Sequence, residues 1–173
     1  RLLDVRVGDR VWDACAAPGG KTALMAEEQP GAHFLASDAK VQRLASMDDL
    51  PGRLQLQDIR VCVADALKPP FGPEFDRVLL DVPCSNLGVM GRRPEVLQRL
   101  SQKECDSLPD LQYNILEASA KCVAEGGLLV YATCSPEHGE TFAVVQRFLR
   151  LHPEFVQDDA SDWVPLKHVQ QGC

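Results

Sequence analysis

Residues 10–22 read Arg-Val-Trp-Asp-Ala-Cys-Ala-Ala-Pro-Gly-Gly-Lys-Thr, an apolar run followed by a loop of small residues. The run Arg10–Ala14 predicts a short strand that is apolar on both faces. The loop then opens Lys21–Glu28, in which apolar residues recur at helical spacing. Strand, loop and helix in this order are typical of the units from which parallel sheets are built.

The same alternation continues along the chain. Four more stretches rich in Val and Leu predict strands, at His33–Ser37, Arg60–Ala64, Asp76–Val82 and Leu128–Thr133. Three more stretches predict helices, at Lys40–Leu50, Leu108–Ala124 and Gly139–Leu151. Because parallel strands need crossover connections, the sequence predicts an α/β fold. We expect a mostly parallel, doubly wound sheet with helices on both faces.

Length and composition indicate one globular domain over residues 1–173. Hydrophobic residues make up 45% of the chain and charged residues 25%, and no repeat or composition break divides it. The sequence has neither a long apolar stretch nor a secretory leader, so we expect a cytoplasmic protein without a membrane partner. Both ends look cut, which suggests a domain excised from a longer protein.

Charge and cysteine spacing exclude several classes of protein. A net charge of −7 is a poor start for a free-standing nucleic-acid binder, so any such substrate must be held locally or by another domain. The 7 cysteines are odd in number and include no Cys-x-x-Cys pair, which argues against a disulfide framework and a zinc site. The 4 histidines lack metal-ligand spacing, so no metal is expected.

The first loop predicts a polar ligand at the start of a helix. It is not a Walker loop, because Cys15 stands where that motif needs glycine. Asp38 ends the second predicted strand, where an acid can accept hydrogen bonds from ribose hydroxyls. Asp65 follows the third strand and could accept from the amine of an adenine. An adenosine cofactor without pyrophosphate fits S-adenosylmethionine. Alternatively, Asp38 and Asp65 are helix caps or turn residues.

Two cysteines leave the ends of predicted strands. Leu79-Leu80-Asp81-Val82-Pro83-Cys84-Ser85 carries one, and Tyr131-Ala132-Thr133-Cys134-Ser135 carries the other. Ligands of open α/β sheets bind outside the carboxyl ends of the strands, so both thiols are candidates for covalent chemistry. The alternative is that each is a buried packing residue, since free cysteine is often buried.

Together these three segments resemble the motifs of RNA cytosine-5 methyltransferases of the Nol1/Nop2/Sun family. Residues 86–95 and 108–112 are most similar to the bacterial branch that modifies small-subunit ribosomal RNA. The resemblance implies a Rossmann-like methyltransferase fold, an RNA substrate, and an additional RNA-binding domain before this one. It implies that the nucleophile is Cys134 and the second cysteine Cys84. It assigns S-adenosylmethionine binding to Cys15, Ala16, Ala17, Pro18, Gly19, Gly20, Lys21, Asp38, Asp65 and Asp81.

The chemistry of cytosine methylation agrees with these roles. Carbon 5 is too weak a nucleophile to take a methyl group unaided, so a thiolate must first add at carbon 6, and Cys134 is the candidate. Addition is easier when ring nitrogen 3 is protonated or hydrogen-bonded, for which we assign Asp81. A base must later remove the proton on carbon 5, and Cys84 could do so directly or through water.

Arg92 and Arg93 are candidate RNA contacts, because they border this site on a loop whose Gly88 and Gly91 suggest mobility. Alternatively, they are solvated and pair with nearby glutamates. The sequence as a whole indicates an RNA cytosine-5 methyltransferase. Two other hypotheses stay open: a non-catalytic RNA-processing or assembly module, and a methyltransferase for another acceptor, which would leave Cys134 unexplained.

Overall fold

The computed structural model describes residues 3–47, 49–50, 52, 58–89 and 102–157. Its strands are β1 (Arg10–Asp13), β2 (His33–Asp38), β3 (Ile59–Val63), β4 (Phe75–Asp81) and β5 (Val123–Ala132). The α-helices whose bounds are described are α1 (Gly20–Glu28), α2 (Val41–Leu44), α3 (Gln102–Ala120) and α4 (Phe142–Leu151). Short 3₁₀ helices cover Ala45–Met47, Leu87–Val89 and His138–Glu140. Among the described residues, no helix has the length and apolar character needed to cross a membrane.

The five strands form one sheet in the order β3-β2-β1-β4-β5. All four strand pairings are parallel, which confirms the predicted α/β class and parallel sheet. The chain moves from β1 toward one edge and then returns to add β4 and β5 on the other side. This reversal is the topological switch point at which open α/β sheets bind ligands.

Contacts divide the chain into two units. The first comprises Leu3–Pro83 and Asn114–Ala132, and therefore holds the whole sheet. The second comprises, among the described residues, those between Cys84 and Tyr113 and those from Thr133 to Gln157. The single domain expected from composition stays a prediction.

Both faces of the sheet are buried at its centre. Val11 and Trp12 are neighbours in β1, and both are 0% exposed although successive strand residues point to opposite faces. Val11 belongs to an apolar cluster with Phe34, while the Trp12 ring packs on Phe71 and Phe75 at 5.3 and 5.5 Å between centroids. The apolar runs of the sequence therefore reflect burial on two faces.

The second unit has a smaller aromatic cluster. On α4, the Phe148 ring stacks on His152 with 4.4 Å between centroids and meets Phe155 edge-on at 5.2 Å. The Arg147 guanidinium lies 3.7 Å from the centroid of the Tyr113 ring, within the range of a cation–π contact. These contacts join α4 to the Cys84–Tyr113 segment.

Three elements differ from the sequence prediction. The helix predicted over Leu108–Ala124 begins six residues earlier, at Gln102, and ends at Ala120, because Val123 and Ala124 belong to β5. Within the helix predicted over Lys40–Leu50, α-helix at Val41–Leu44 is followed by a 3₁₀ helix at Ala45–Met47, and the Ser46 hydroxyl donates to the Arg43 carbonyl, a bond that competes with helical pairing. Leu50 is again α-helical. β5 begins at Val123, five residues before the predicted Leu128. Gly126 lies within it at a φ of 74°, beside a shift in register against β4.

Candidate active site

The first loop depends on the conformation of Gly19. This residue has a φ of 100°, and a Cβ added to it would meet Met47 side-chain atoms at 3.1 Å. Its backbone N–H donates to the Ala16 carbonyl at 2.7 Å, and the Ala16 N–H donates to Ser37 of β2 at 2.8 Å. Glycine therefore allows a tight turn against its neighbours, while Pro18, Gly20 and Lys21 stay exposed.

Asp13, the last residue of β1, is a buried acid that sequence reasoning assigned no role. Its Oδ2 accepts a hydrogen bond from the Thr22 hydroxyl at 2.7 Å, whereas its buried Oδ1 has no hydrogen-bond partner. Burial raises the pKa of Asp13 to about 6, against the opposing effect of the Thr22 hydrogen bond. Its position at a strand end, like that of Asp38 and Asp81, was the signal that could have identified it.

Asp38 and Asp65 have structural contacts of their own. Asp38 Oδ1 accepts from the Lys40 N–H at 2.9 Å, and its Oδ2 lies 3.0 Å from an Arg43 nitrogen. Asp65 Oδ1 accepts from the Leu67 N–H at 2.9 Å, and the residue is exposed. These contacts match the turn-residue alternative, and they leave the cofactor roles as predictions.

Asp81 and Lys21 form an ion pair in the first unit, with 2.5 Å between Nζ and Oδ2. Asp81 ends β4 and Lys21 lies in the first turn of α1, so the pair joins the strand end to the loop predicted to bind the cofactor. Their side chains are 34% and 54% exposed, so both remain accessible to a ligand.

Cys15 lies in the same unit but is a poor nucleophile. Burial raises the pKa of its thiol to about 12, and the charges of Asp13, Asp38 and Asp81 add to this effect. Because the thiolate is the reactive form, Cys15 is unreactive near neutral pH. Its small size therefore matters more here than its thiol.

The second unit brings Cys84 and Cys134 together. Their Sγ atoms are 2.8 Å apart, and Cys134 Sγ donates to the Asn86 Oδ1 at 3.0 Å. Cys134 is exposed and Cys84 is half-buried, so neither fits the buried packing alternative. Asn86 has a φ of 59°, and its side-chain amide donates back to the Cys84 carbonyl at 3.0 Å. Sequence reasoning assigned it no role, and only its place two residues after Cys84 marked it.

Gly88 packs closely against the backbone of Cys134 and hydrogen-bonds to it. The Gly88 N–H donates to the Cys134 carbonyl at 3.0 Å, and a Cβ on Gly88 would lie 2.2 Å from that same oxygen. A side chain is excluded by this close approach, so glycine is required here for a reason other than loop mobility.

A buried hydrogen-bond network connects the residues that directly follow the two cysteines. The Glu140 carboxylate accepts from the Ser85 N–H, the Ser135 hydroxyl and the Gln112 amide at 2.9, 2.7 and 2.8 Å. The Ser85 hydroxyl donates to that of Ser135 at 3.1 Å. Sequence reasoning missed Glu140, which stands in a charged segment that gives no sign of burial. Arg92 and Arg93, the predicted RNA contacts, lie outside the described residues.

Comparison with known proteins identifies the family. The profile of the 16S rRNA methyltransferase RsmB/F family matches residues 1–171. The chain belongs to this family. Its predicted membership among RNA cytosine-5 methyltransferases is therefore confirmed at the level of the RsmB/F methyltransferases.

Curated relatives are considerably longer than this chain. Ribosomal RNA small subunit methyltransferase B of Yersinia pseudotuberculosis is 42% identical over 156 residues, which are 88% of this chain and 36% of that protein. The chain thus spans about a third of the length of such RsmB/F relatives.

Solved structures support the same fold. NSun6 from Pyrococcus horikoshii, crystallised with SFG, has a TM-score of 0.77 and 30% identity, covering 87% of this chain and 39% of that one. Geranyl diphosphate C-methyltransferase from Streptomyces coelicolor A3(2) has a TM-score of 0.52 at 13% identity, covering 76% and 40%, which is a likeness of fold alone. The predicted Rossmann-like fold of S-adenosylmethionine-dependent methyltransferases is confirmed.

Proposed function

We propose that this chain is the catalytic part of a cytoplasmic enzyme that methylates carbon 5 of cytosine in ribosomal RNA. The methyl donor is S-adenosylmethionine, and the products are 5-methylcytosine and S-adenosylhomocysteine. The observation that carries the proposal is the contact between two accessible thiols, with 2.8 Å between their Sγ atoms, in a member of an rRNA methyltransferase family. A methyltransferase for an acceptor that needs no thiol would leave this pair unexplained.

The first unit offers hydrogen-bond acceptors that suit the cofactor. S-adenosylmethionine presents an ammonium, two ribose hydroxyls and an adenine amine, all of which donate hydrogen bonds. The first unit carries carboxylates at strand ends, at Asp13, Asp38 and Asp81, and one two residues after β3, at Asp65. Asp13 Oδ1 is a buried acceptor without a hydrogen-bond partner. We assign Asp38 to the ribose, Asp65 to the adenine and the loop Cys15–Lys21 to the remaining contacts. When bound, the cofactor supplies an electrophilic methyl group.

Cys134 activates the base. Its thiolate forms a bond to carbon 6, and the electrons of the carbon 5–carbon 6 double bond move toward carbon 5, which becomes nucleophilic. Asp81 hydrogen-bonds or protonates ring nitrogen 3 so that the ring accepts this charge. Since Asp81 is paired with Lys21, we expect the pair to open or to be shared when the base binds.

Cys84 completes the cycle by removing the proton from carbon 5. The carbon 5–hydrogen electrons then restore the ring double bond, and the bond from carbon 6 to Cys134 breaks with the thiolate as leaving group. The contact between the Sγ atoms supports this role, because a thiol at Cys84 can donate a hydrogen bond to a departing thiolate at Cys134.

A methyl-transfer assay with labelled cofactor and small-subunit ribosomal RNA tests the proposal. We expect Cys134→Ala to lower the rate at least about a thousandfold, the scale typical of a lost nucleophile. Cys62→Ala, which changes a half-buried cysteine of β3, is the matched control and should keep the wild-type rate. Normal methylation by Cys134→Ala would refute the covalent mechanism. Cofactor binding without any RNA methylation by the wild type would favour the assembly-module hypothesis.

The cofactor assignment has its own test. Asp65→Ser keeps a side-chain oxygen that can accept from the Leu67 N–H, so the turn is retained while the carboxylate is lost. We expect S-adenosylhomocysteine to bind about tenfold more weakly by calorimetry, which corresponds to about 1.4 kcal/mol. Unchanged binding would assign Asp65 to the turn alone.

The predicted RNA contacts can be tested by measuring how RNA affinity depends on salt concentration. Replacing Arg92 and Arg93 with glutamine should weaken RNA binding and flatten its dependence on salt concentration, because fewer counterions are released. An unchanged slope would remove both arginines from the interface.

A further inference from the structure

We propose that Glu140 is a positioning residue that holds Cys84 and Cys134 at their working separation, a role that rests on the proposed function. Glu140 touches neither thiol in the contacts above. It bonds instead to Ser85 and Ser135, each of which directly follows one of the cysteines. One carboxylate therefore joins the two chain segments that carry the thiols.

The hydrogen bonds from Ser85 and Ser135 to Glu140 form a clamp between the two cysteine segments, and its two arms end on different oxygens of the carboxylate. Oε2 accepts from the backbone N–H of Ser85 at 2.9 Å, and Oε1 accepts from the Ser135 hydroxyl at 2.7 Å. The Ser85 hydroxyl closes a ring by donating to the Ser135 hydroxyl at 3.1 Å. Because both arms end one residue from a cysteine, a change in their length is transmitted to the Sγ atoms.

Burial makes this clamp stiff. Glu140, Ser85, Ser135 and Gln112 are exposed by 4%, 1%, 5% and 0%, so water does not compete for their bonds. Gln112 of α3 donates its amide to Glu140 Oε2 at 2.8 Å and fixes the carboxylate from a third direction.

The charge of Glu140 suits its three donors. Burial alone would raise the pKa of Glu140, but hydrogen bonds from Ser85, Ser135 and Gln112 outweigh it and lower the pKa. Glu140 is therefore ionised near neutral pH, and hydrogen bonds to a charged acceptor are shorter and stronger than neutral ones. The carboxylate is a pure acceptor with two oxygens, which matches the donors that Ser85, Ser135 and Gln112 present to it.

Loss of the clamp should affect the second half of the reaction most. Of the two thiols, attack on carbon 6 needs only Cys134, whereas release needs both at one ring. Steps that need two positioned groups are sensitive to displacements of about 1 Å. A variant without the carboxylate should therefore form the RNA adduct and resolve it slowly.

The test compares Glu140→Ala, Glu140→Gln and the control Glu137→Gln, which changes an exposed acid of the same segment. In single-turnover reactions with ribosomal RNA, normalised to folded protein, we expect Glu140→Ala to release product at least about tenfold more slowly. Protein–RNA adduct should accumulate on a denaturing gel. Glutamine keeps one carbonyl acceptor and the side-chain length, so Glu140→Gln should fall between Glu140→Ala and wild type. Affinity for S-adenosylhomocysteine should stay unchanged in all three.

A second readout does not need RNA and separates this proposal from the proposed function. The rate of alkylation of Cys134 by iodoacetamide is followed against pH by peptide mass spectrometry. If Glu140 sets the contact between the thiols, the pH profile of Cys134 changes in Glu140→Gln and not in Glu137→Gln. A residue that only stabilises the fold would leave the profile of the folded protein unmoved, and that result would overturn the proposal. Failure of wild-type protein to methylate RNA would count against the proposed function alone.

Discussion

Cys15 and Cys134 are the same residue type at equivalent points, each in the loop after a strand, yet their surroundings differ sharply. Cys15 is held among Asp13, Asp38 and Asp81, and its pKa is raised to about 12. Cys134 is exposed and in contact with a second thiol. Position after a strand is therefore not enough to make a thiol reactive, because the neighbouring groups set its pKa and its exposure.

The means of support also differ between the two regions. The first loop is held by backbone hydrogen bonds and by the left-handed conformation of Gly19. The thiol region is held by a buried side-chain network around Glu140 and by the close approach of Gly88 to Cys134. A loop that contributes backbone groups needs a fixed backbone, whereas two reacting side chains need their anchor points fixed against each other.

The largest effect is expected from a side chain at Gly88. Gly88→Ala would put a Cβ 2.2 Å from the Cys134 carbonyl oxygen, and both contacting groups are backbone or fixed to it. We expect a loss of about 2–4 kcal/mol in stability toward urea and loss of methyl transfer. Gly72→Ala is the control, because a Cβ there has no atom within 4 Å. If Gly88→Ala were as stable as wild type, the backbone at Cys134 would be able to move away from the added Cβ at little cost, contrary to this prediction.

Alkylation compares the two cysteines directly. Almost none of a thiol with a pKa of about 12 is ionised at pH 7.5, and Cys15 is also partly buried, whereas Cys134 is exposed. We therefore expect iodoacetamide to modify Cys134 at least about a hundredfold faster than Cys15, as measured by peptide mass spectrometry of the folded protein. Equal rates would remove the contrast between the two regions.

A smaller effect is expected on the pH dependence of stability, from the buried Asp13 at the end of β1. The folded pKa of Asp13, about 6, lies above its ordinary value of 3.8, so folding favours the protonated form. Stability contributed by this group is present below pH 3.8 and is lost as the pH rises through 6. As the pH rises from well below 3.8 to well above 6, the stability of Asp13→Asn in urea unfolding should increase relative to wild type by on the order of 3 kcal/mol. A stability difference that does not vary with pH would contradict a raised pKa for this buried carboxyl.

Much of the fold was predictable because the strands carry a strong local signal. Val11 and Trp12 are buried on opposite faces, which explains why β1 reads as a continuous apolar run. The start of β5 was not predictable from the sequence, because a glycine such as Gly126 usually marks the end of a strand. Here Gly126 lies within the strand, beside the shift in register against β4. The end of the α2 segment depends on a bond from Ser46 to Arg43 that propensity does not specify.

The candidate site divides in the same way. The sequence predicted that Cys84 and Cys134 each follow a strand end, where open sheets bind ligands. Their contact at 2.8 Å was not predicted, because no local pattern specifies how these two segments meet. The role of Glu140 could not be predicted, since an acid in a polar segment looks exposed until Ser85 and Gln112 are seen to donate to it. Asp13 could have been identified from the sequence as a site candidate, because it ends a strand as Asp38 does.

The central claim is that Cys134 attacks the base and Cys84 releases it. The most direct measurement is the covalent state of ribosomal RNA after reaction with Cys84→Ala, resolved on a denaturing gel and mapped by mass spectrometry. The account predicts RNA attached through Cys134, and no attachment in the Cys84→Ala, Cys134→Ala double variant. Full turnover by Cys84→Ala without any adduct would contradict the division of roles between the two thiols.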